Sequence, residues 1–219
     1  MLSLVEENYL KAIYHLSEGG QAQVSTNAIA DAIHTKPASV SDMIQKLDRK
    51  RVIQYTKYQG VKVTKEGKEA ALKVIRKHRL WEVFLVEQLN FNWDEVHDVA
   101  EQLEHIKSPL LIERLDAFLG HPKVDPHGDP IPDAQGVINT KPQKPLHQLD
   151  LGAEAIIRAV KDSSPAFLRH LDKLGAYLGA GVKILEKEEF DNSMQIQIDQ
   201  STVVFISNEV GQNILVQEN

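Results

Sequence analysis

The stretch that most constrains this chain runs from Arg76 to Ser108, RKHRLWEVFLVEQLNFNWDEVHDVAEQLEHIKS. His78 and Glu82 stand four residues apart. His97, Glu101 and His105 follow at successive intervals of four, with Glu104 three beyond Glu101. On helices these intervals place side chains on one face, a turn apart. Leu80, Trp81, Phe84 and Leu85, then Val96, Val99, Ala100 and Leu103, recur at helical spacing, so two helices are expected with a turn over Asn90–Trp93. Imidazoles and carboxylates on a shared face suit a divalent transition metal. The same residues also suit a solvated charged surface, and spacing alone leaves both readings open.

Charge is distributed unevenly around this stretch. The net charge is −6, yet Lys36–Arg79 holds thirteen Lys/Arg against four Asp/Glu, a local +9. Leu80–Leu119 holds two against nine, a local −7. A basic segment favours a polyanion partner and an acidic one favours cations. The chain has no cysteine, which excludes a disulfide framework and thiolate metal ligands. The start, MLSLVEENYLKAIYHL, lacks the basic end and apolar run of a signal peptide. No stretch approaches about 18 uninterrupted apolar residues. A cytoplasmic chain with no membrane partner is expected.

Upstream, Leu4, Val5, Tyr9, Ala12, Ile13 and Leu16 predict a helix over residues 3–17, opened by a Ser3–Glu6 capping box and stopped by Gly19-Gly20. Ser25 or Thr26 caps a short second helix. Pro37 opens a third, running through Val40, Ile44 and Leu47 toward Arg51. Val52–Thr64 alternates as a β-hairpin turning near Gln59-Gly60. Two short helices, a tight turn and a hairpin make a winged helix-turn-helix, whose third helix would enter a DNA major groove. Ser39, Ser41 and Asp42 sit near its start, where side chains reach base edges or phosphates. Lys36, Lys46, Arg49, Lys50 and Arg51, with Lys57 and Lys62 on the wing, would neutralise phosphates.

Downstream, Lys65–Leu89 reads as one long helix, Asp94–Ile106 as the next, and Ser108-Pro109 opens another that ends at Gly120. Their surplus apolar surface predicts a two-fold dimer, which would present paired recognition helices about 34 Å apart. Six of the nine prolines lie in 121–147, expected to be loop and linker. There His121, Asp125, His127 and Asp129 are potential ligands but suit turns beside Pro and Gly better. From Leu149 the chain alternates strands (155–160, 182–185, 194–198, 203–206, 214–216) with a helix between Pro165 and Leu178. Such a pattern suits a small barrel.

Five stretches, ENYLKAIYHL, VSDMIQKLDRK, RKHRLWEVFL, VHDVAEQLEHIKS and DPHGDPIP, together resemble the diphtheria toxin repressor and manganese transport regulator family of metal-dependent repressors. The resemblance is close over residues 3–140, and the remainder looks like the SH3-like domain of longer members. It implies a mainly α fold with small β parts. A winged helix-turn-helix would span residues 1–64, a helical metal-binding and dimerisation domain 65–140, and a small SH3-like β barrel 141–219. It implies a homodimer that binds an operator in double-stranded DNA when metal is present, represses metal-uptake genes, and uses no organic cofactor. His78, Glu82 and His97 match the ligands of one centre, and Glu101, Glu104 and His105 those of another. His78, Glu101, Glu104 and His105 also match a manganese-type pair.

Position 101 is Glu, where iron-type members carry cysteine. Asn8 stands where the family supplies methionine or aspartate, and can still offer a carbonyl oxygen. Lys11 stands where manganese-type members use glutamate, and a charged lysine repels a cation. Oxygen and imidazole donors without sulfur favour Mn(II), with Fe(II) compatible. Two other classes share some of these features: a winged-helix regulator answering an organic ligand, and a metal-dependent hydrolase. No residue is assigned as the hydrolase's catalytic base, so a non-enzymatic role is expected.

Overall fold

The computed structural model describes residues 2–218, which form two compact units. One holds the chain up to His78, with Glu101–Ile112 and Pro132–Ile138. The other holds Arg79–Ala100, Glu113–Ile131 and the chain from Asn139 onward.

The first unit opens with α1 (Leu4–Leu16), where Ser3 and Glu6 form the reciprocal capping box that the sequence predicts. The Ser25 side chain caps α2 (Thr26–Ala32), and Pro37 starts α3 (Pro37–Arg49). The hairpin pairs β1 (Ile53–Thr56) with β2 (Gly60–Val63), in the register Ile53↔Val63 and Thr56↔Gly60. Gly60 sits at φ +102, and a Cβ there would lie 2.4 Å from the Val24 carbonyl, so only glycine lets Val24 bridge to Val61. The apolar faces of these elements, Leu10, Ile13, Ile29, Val40, Ile44, Leu47, Ile53 and Val61, close one core with Ala71, Leu72 and Ile75 of α4 (Lys65–Leu89). Each fully buried Leu or Ile stabilises the unit by about 1.5–3 kcal/mol relative to exposure.

After α4 come α5 (His97–Leu103) and α6 (Pro109–Phe118). The sequence predicts α5 from Asp94 to Ile106, and both ends are shorter in the structure. Its entry is a turn in which the Glu95 carboxylate accepts from the Asn92 amide. Its exit leaves Glu104 and His105 in the turn beyond the helix.

The second unit carries β3 (Lys144–Pro145), β4 (Glu154–Val160), α7 (Pro165–Leu174), β5 (Gly181–Lys187), β6 (Met194–Ile198), β7 (Thr202–Ile206), α8 (Asn208–Asn213) and β8 (Ile214–Glu218). The strands form one antiparallel sheet, ordered β3-β8-β4-β5-β6-β7. Register shifts in β4 and β5 bend it around a core of Leu146, Leu149, Ile157, Leu168, Leu171, Ile184, Ile196 and Ile214. This is the expected fold class, mainly helical with a small C-terminal β domain. Two details differ. α7 stops at Leu174 rather than Leu178, because Gly175 turns left-handed at φ 72. α8 and β3 were not foreseen; α8 is six residues long, too short to show an apolar period.

Candidate metal centres and nucleic-acid interface

In the first unit, α1 faces the end of α5. Lys11 Nζ lies 2.7 and 2.8 Å from the two oxygens of Glu104 and 3.2 Å from Glu101 Oε1. His78 Nδ1 is 2.6 Å from Glu104 Oε2. His105 turns Nδ1 to Glu7 at 2.6 Å and Nε2 toward Glu104 Oε1 at 3.5 Å. Glu104 is fully buried. Burial alone would push its carboxyl up, but the His78 hydrogen bond and the Lys11 charge outweigh it and hold the group below the usual carboxylate range. Burial pulls the Lys77 ammonium down, against the nearby charges of Glu7 and Glu104. Asn8 Oδ1 and His105 Nε2 are among the buried side-chain atoms that make no hydrogen bond within the described residues. With Glu101 and Glu104 they are suitable donors for a hard or borderline divalent ion. An ammonium already bridges the carboxylates.

The second unit gathers Glu82 of α4 with Asp125 and His127, all three buried, and ligand atoms of all three lie within 4.8 Å of one another. His127 Nδ1 is 3.8 Å from Glu82 Oε1, and His97 Nδ1, at the start of α5, is 3.6 Å from the same oxygen. His127 Nε2 lies 2.8 Å from the Trp93 carbonyl. That carbonyl can only accept, so Nε2 carries the proton and Nδ1 turns its lone pair to the cluster. Metal-ligating histidines are commonly held in this way. The Trp93 ring stacks on the imidazole, centroids 6.3 Å apart.

The loop that delivers these residues is built locally. Asp125 Oδ1 accepts from the amides of His127 at 2.8 Å and Asp129 at 3.0 Å. The Val160 amide donates to the His127 carbonyl at 2.9 Å. Between them Gly128 sits at φ +87, where a Cβ would come within 2.1 Å of the Arg158 carbonyl. Burial pushes the Asp125 carboxyl well above its usual range, reinforced by Glu82 and Asp129 and opposed by Arg79. Facing carboxylates and an imidazole lone pair, out of water, favour a cation between them.

Asp125 and His127 are therefore turn residues, as the sequence suggests, and also members of a cluster that spacing does not reveal. His121 pairs with Asp116 at 2.8 Å, and Asp129 with Arg79 at 3.0 Å. The expected set His78, Glu82 and His97 is brought together: His78 and Glu82 stand one turn apart on α4, ligand atoms of all three residues lie within 4.8 Å of one another, and His78 Nδ1 also bonds Glu104.

On the winged domain, Lys36, Ser39, Ser41, Asp42, Lys46, Arg49, Lys57 and Lys62 are all exposed. Ser41 Oγ donates back to the Pro37 carbonyl at 3.0 Å. Lys46 and Lys50 also have an internal partner: they lie 3.6 and 2.7 Å from the buried carboxylate of Glu6 on α1. Burial would raise Glu6, yet the Lys50 and Ser3 hydrogen bonds and the two lysine charges bring it down to about 2. At the wing tip Tyr58 is 93% exposed, with Lys57 Nζ 5.0 Å above its ring. Among the described residues no helix is long and apolar enough to cross a membrane.

Three family profiles match the chain. "Iron dependent repressor, N-terminal DNA binding domain" matches residues 1–61, "Iron dependent repressor, metal binding and dimerisation domain" matches 64–133, and "FeoA domain" matches 144–218. The HTH-type transcriptional regulator MntR of Oceanobacillus iheyensis is 38% identical over 120 residues, 54% of this chain and 80% of that protein. The iron-dependent repressor IdeR of Mycobacterium tuberculosis is 33% identical over 126 residues, 58% of this chain. That match spans about half of the mycobacterial protein, 54%. A solved manganese-dependent transcriptional repressor in complex with manganese is 36% identical, with a TM-score of 0.88 over 98% of this chain and 100% of that one. These matches cover both the winged domain and the helices that carry the two clusters, and the chain belongs to the diphtheria toxin repressor family of metal-dependent transcriptional repressors.

Proposed function

We propose that this chain is a cytoplasmic, homodimeric repressor that binds operator DNA when it holds Mn(II) or Fe(II), and so controls metal-uptake genes. Residues 1–64 read DNA, 65–140 sense metal and dimerise, and 141–219 form an SH3-like domain. The observation that carries the reading is the buried trio Glu82, Asp125 and His127, with His127 Nε2 tied to the Trp93 carbonyl. His97 adds a second imidazole on Glu82. The resemblance also assigns His78 to this centre, and Glu101, Glu104, His105 and Asn8 to a second. Nitrogen and oxygen donors without sulfur support Mn(II) or Fe(II).

A bound ion supplies the positive charge that cancels repulsion between Glu82 and Asp125. The chain does the rest. Trp93 fixes the imidazole tautomer, and the Asp125 turn holds His127 in place. Gly128 lets that loop close on β4. On the DNA side, Ser39, Ser41 and Asp42 meet base edges, while Lys36, Lys46, Arg49, Lys57 and Lys62 meet phosphates. Metal and DNA binding are coupled reciprocally, by about 1–3 kcal/mol in systems of this kind.

Fluorescence anisotropy with the DNA upstream of the chain's own gene or of metal-transporter genes tests the reading. Binding that strengthens at least tenfold with Mn(II) or Fe(II), and that Glu82→Ala abolishes, is the expected outcome. Equal affinity with and without metal would overturn it.

A further inference from the structure

The first-unit cluster contains an internal cation and an idle donor at once, and a second idle donor stands one turn before Lys11 on α1. Lys11 bonds both oxygens of Glu104 and one of Glu101. The His105 side chain is only 9% exposed, and its Nε2, 3.5 Å from Glu104 Oε1, makes no hydrogen bond. Asn8 Oδ1, three residues before Lys11 on α1, is likewise buried without one. An imidazole nitrogen and an amide oxygen that do not serve the ammonium would serve a metal ion.

We propose that the Lys11 ammonium is a built-in competitor for a divalent cation at Asn8, Glu101, Glu104 and His105. The inference rests on the metal-sensing reading above and concerns how a second ion is admitted. A divalent ion and an ammonium cannot share Glu104 at close range, because like charges in a buried setting repel strongly. The ion enters only as Lys11 swings off the carboxylates. Lys11 already links α1 to the end of α5 without metal, so a second ion exchanges one cationic link for another. This cluster therefore fills at higher metal than Glu82, Asp125 and His127, and the protein responds in two steps.

Equilibrium dialysis of the full chain against Mn(II) tests this. Wild type is expected to take up two ions in two classes. Lys11→Met and Lys11→Gln should tighten the weaker class at least tenfold and leave the tighter unchanged, while Lys11→Arg should behave as wild type. If neither neutral variant tightens the weaker class, or if wild type holds a single ion at saturation, the proposal is overturned. A second measurement uses wild type alone. Acetic anhydride labelling read by mass spectrometry should show Lys11 reacting faster once the weaker class fills; an unchanged or slower rate overturns the proposal. His127→Ala separates the two readings, since it should weaken the tight ion by roughly 100-fold and spare the Lys11-sensitive one. Loss of the Lys11-sensitive ion instead would place the two classes the other way round and overturn both.

Discussion

The two units handle buried carboxylates in opposite ways. In the first, every such group has an ammonium from its own chain: Glu104 has Lys11, and Glu6 has Lys46 and Lys50. In the second, Glu82 faces His97 and His127, and Asp125 shares Arg79 with Asp129. The result shows in the carboxyl groups themselves. Glu6 and Glu104 are held low, and Asp125 is driven high. A buried charge without full compensation is costly, and the chain can lower that cost by neutralising the group or by recruiting a cation. In the first cluster an ammonium already compensates the buried carboxylate, whereas the second has most to gain from a cation.

Four measurements would break or sharpen this contrast. The largest effect is expected at Gly128. Gly128→Ala forces a Cβ into the Arg158 carbonyl at a positive φ, so the loop should detach, with a loss of about 3 kcal/mol or more in urea unfolding and loss of the tight Mn(II) class. Wild-type stability there would show that the loop does not need its close approach to β4. Next, His127→Ala should weaken the tight Mn(II) class by roughly 100-fold, measured by dialysis, and lower metal-free stability by about 1–3 kcal/mol, because the Trp93 carbonyl loses its donor. A stability loss without a metal effect would make the trio structural.

The third effect is at Lys11→Met. Metal-free stability should fall by about 2 kcal/mol, because the fully buried Glu104 keeps only its histidine partners. No change in urea midpoint would mean that the ammonium link contributes nothing. The smallest effect is at Glu6→Gln. The folded pKa of about 2 lies below the ordinary 4.5, so the ionised group contributes stability present above about pH 4.5 and lost as pH falls toward 2. The variant should be about 1 kcal/mol less stable at neutral pH and show a flatter acid limb. A parallel limb would remove Glu6 from the account.

Much of this fold is legible in the sequence because its signals are local. Ser3 and Glu6 cap α1 within one turn, Pro37 opens α3, and Lys65–Leu89 carries its apolar stripe without a break. Period and capping depend on neighbours within a few residues, so the winged head and the C-terminal strands can be read directly. The same local view explains why α8 and the early end of α5 escape notice, since short elements lack a period.

The candidate sites are legible only in part, for the complementary reason. Sequence spacing identifies His78, Glu82, His97, Glu101, Glu104 and His105 as candidate donors that helices would present. It reads Asp125 and His127 as turn residues, which they are, because their backbone bonds close within four positions. That His127 then turns its free nitrogen to Glu82, 45 residues back, depends on the Trp93 carbonyl and on Gly128 docking against β4. That Lys11 reaches Glu104, 93 residues away, depends on the packing of α1 against the end of α5. The sequence by itself determined the candidate donors, most of their helices and the absence of cysteine. Only the tertiary structure decided which candidate donors meet and which carboxylates already hold an ammonium, because charge compensation is a property of groups brought together in space.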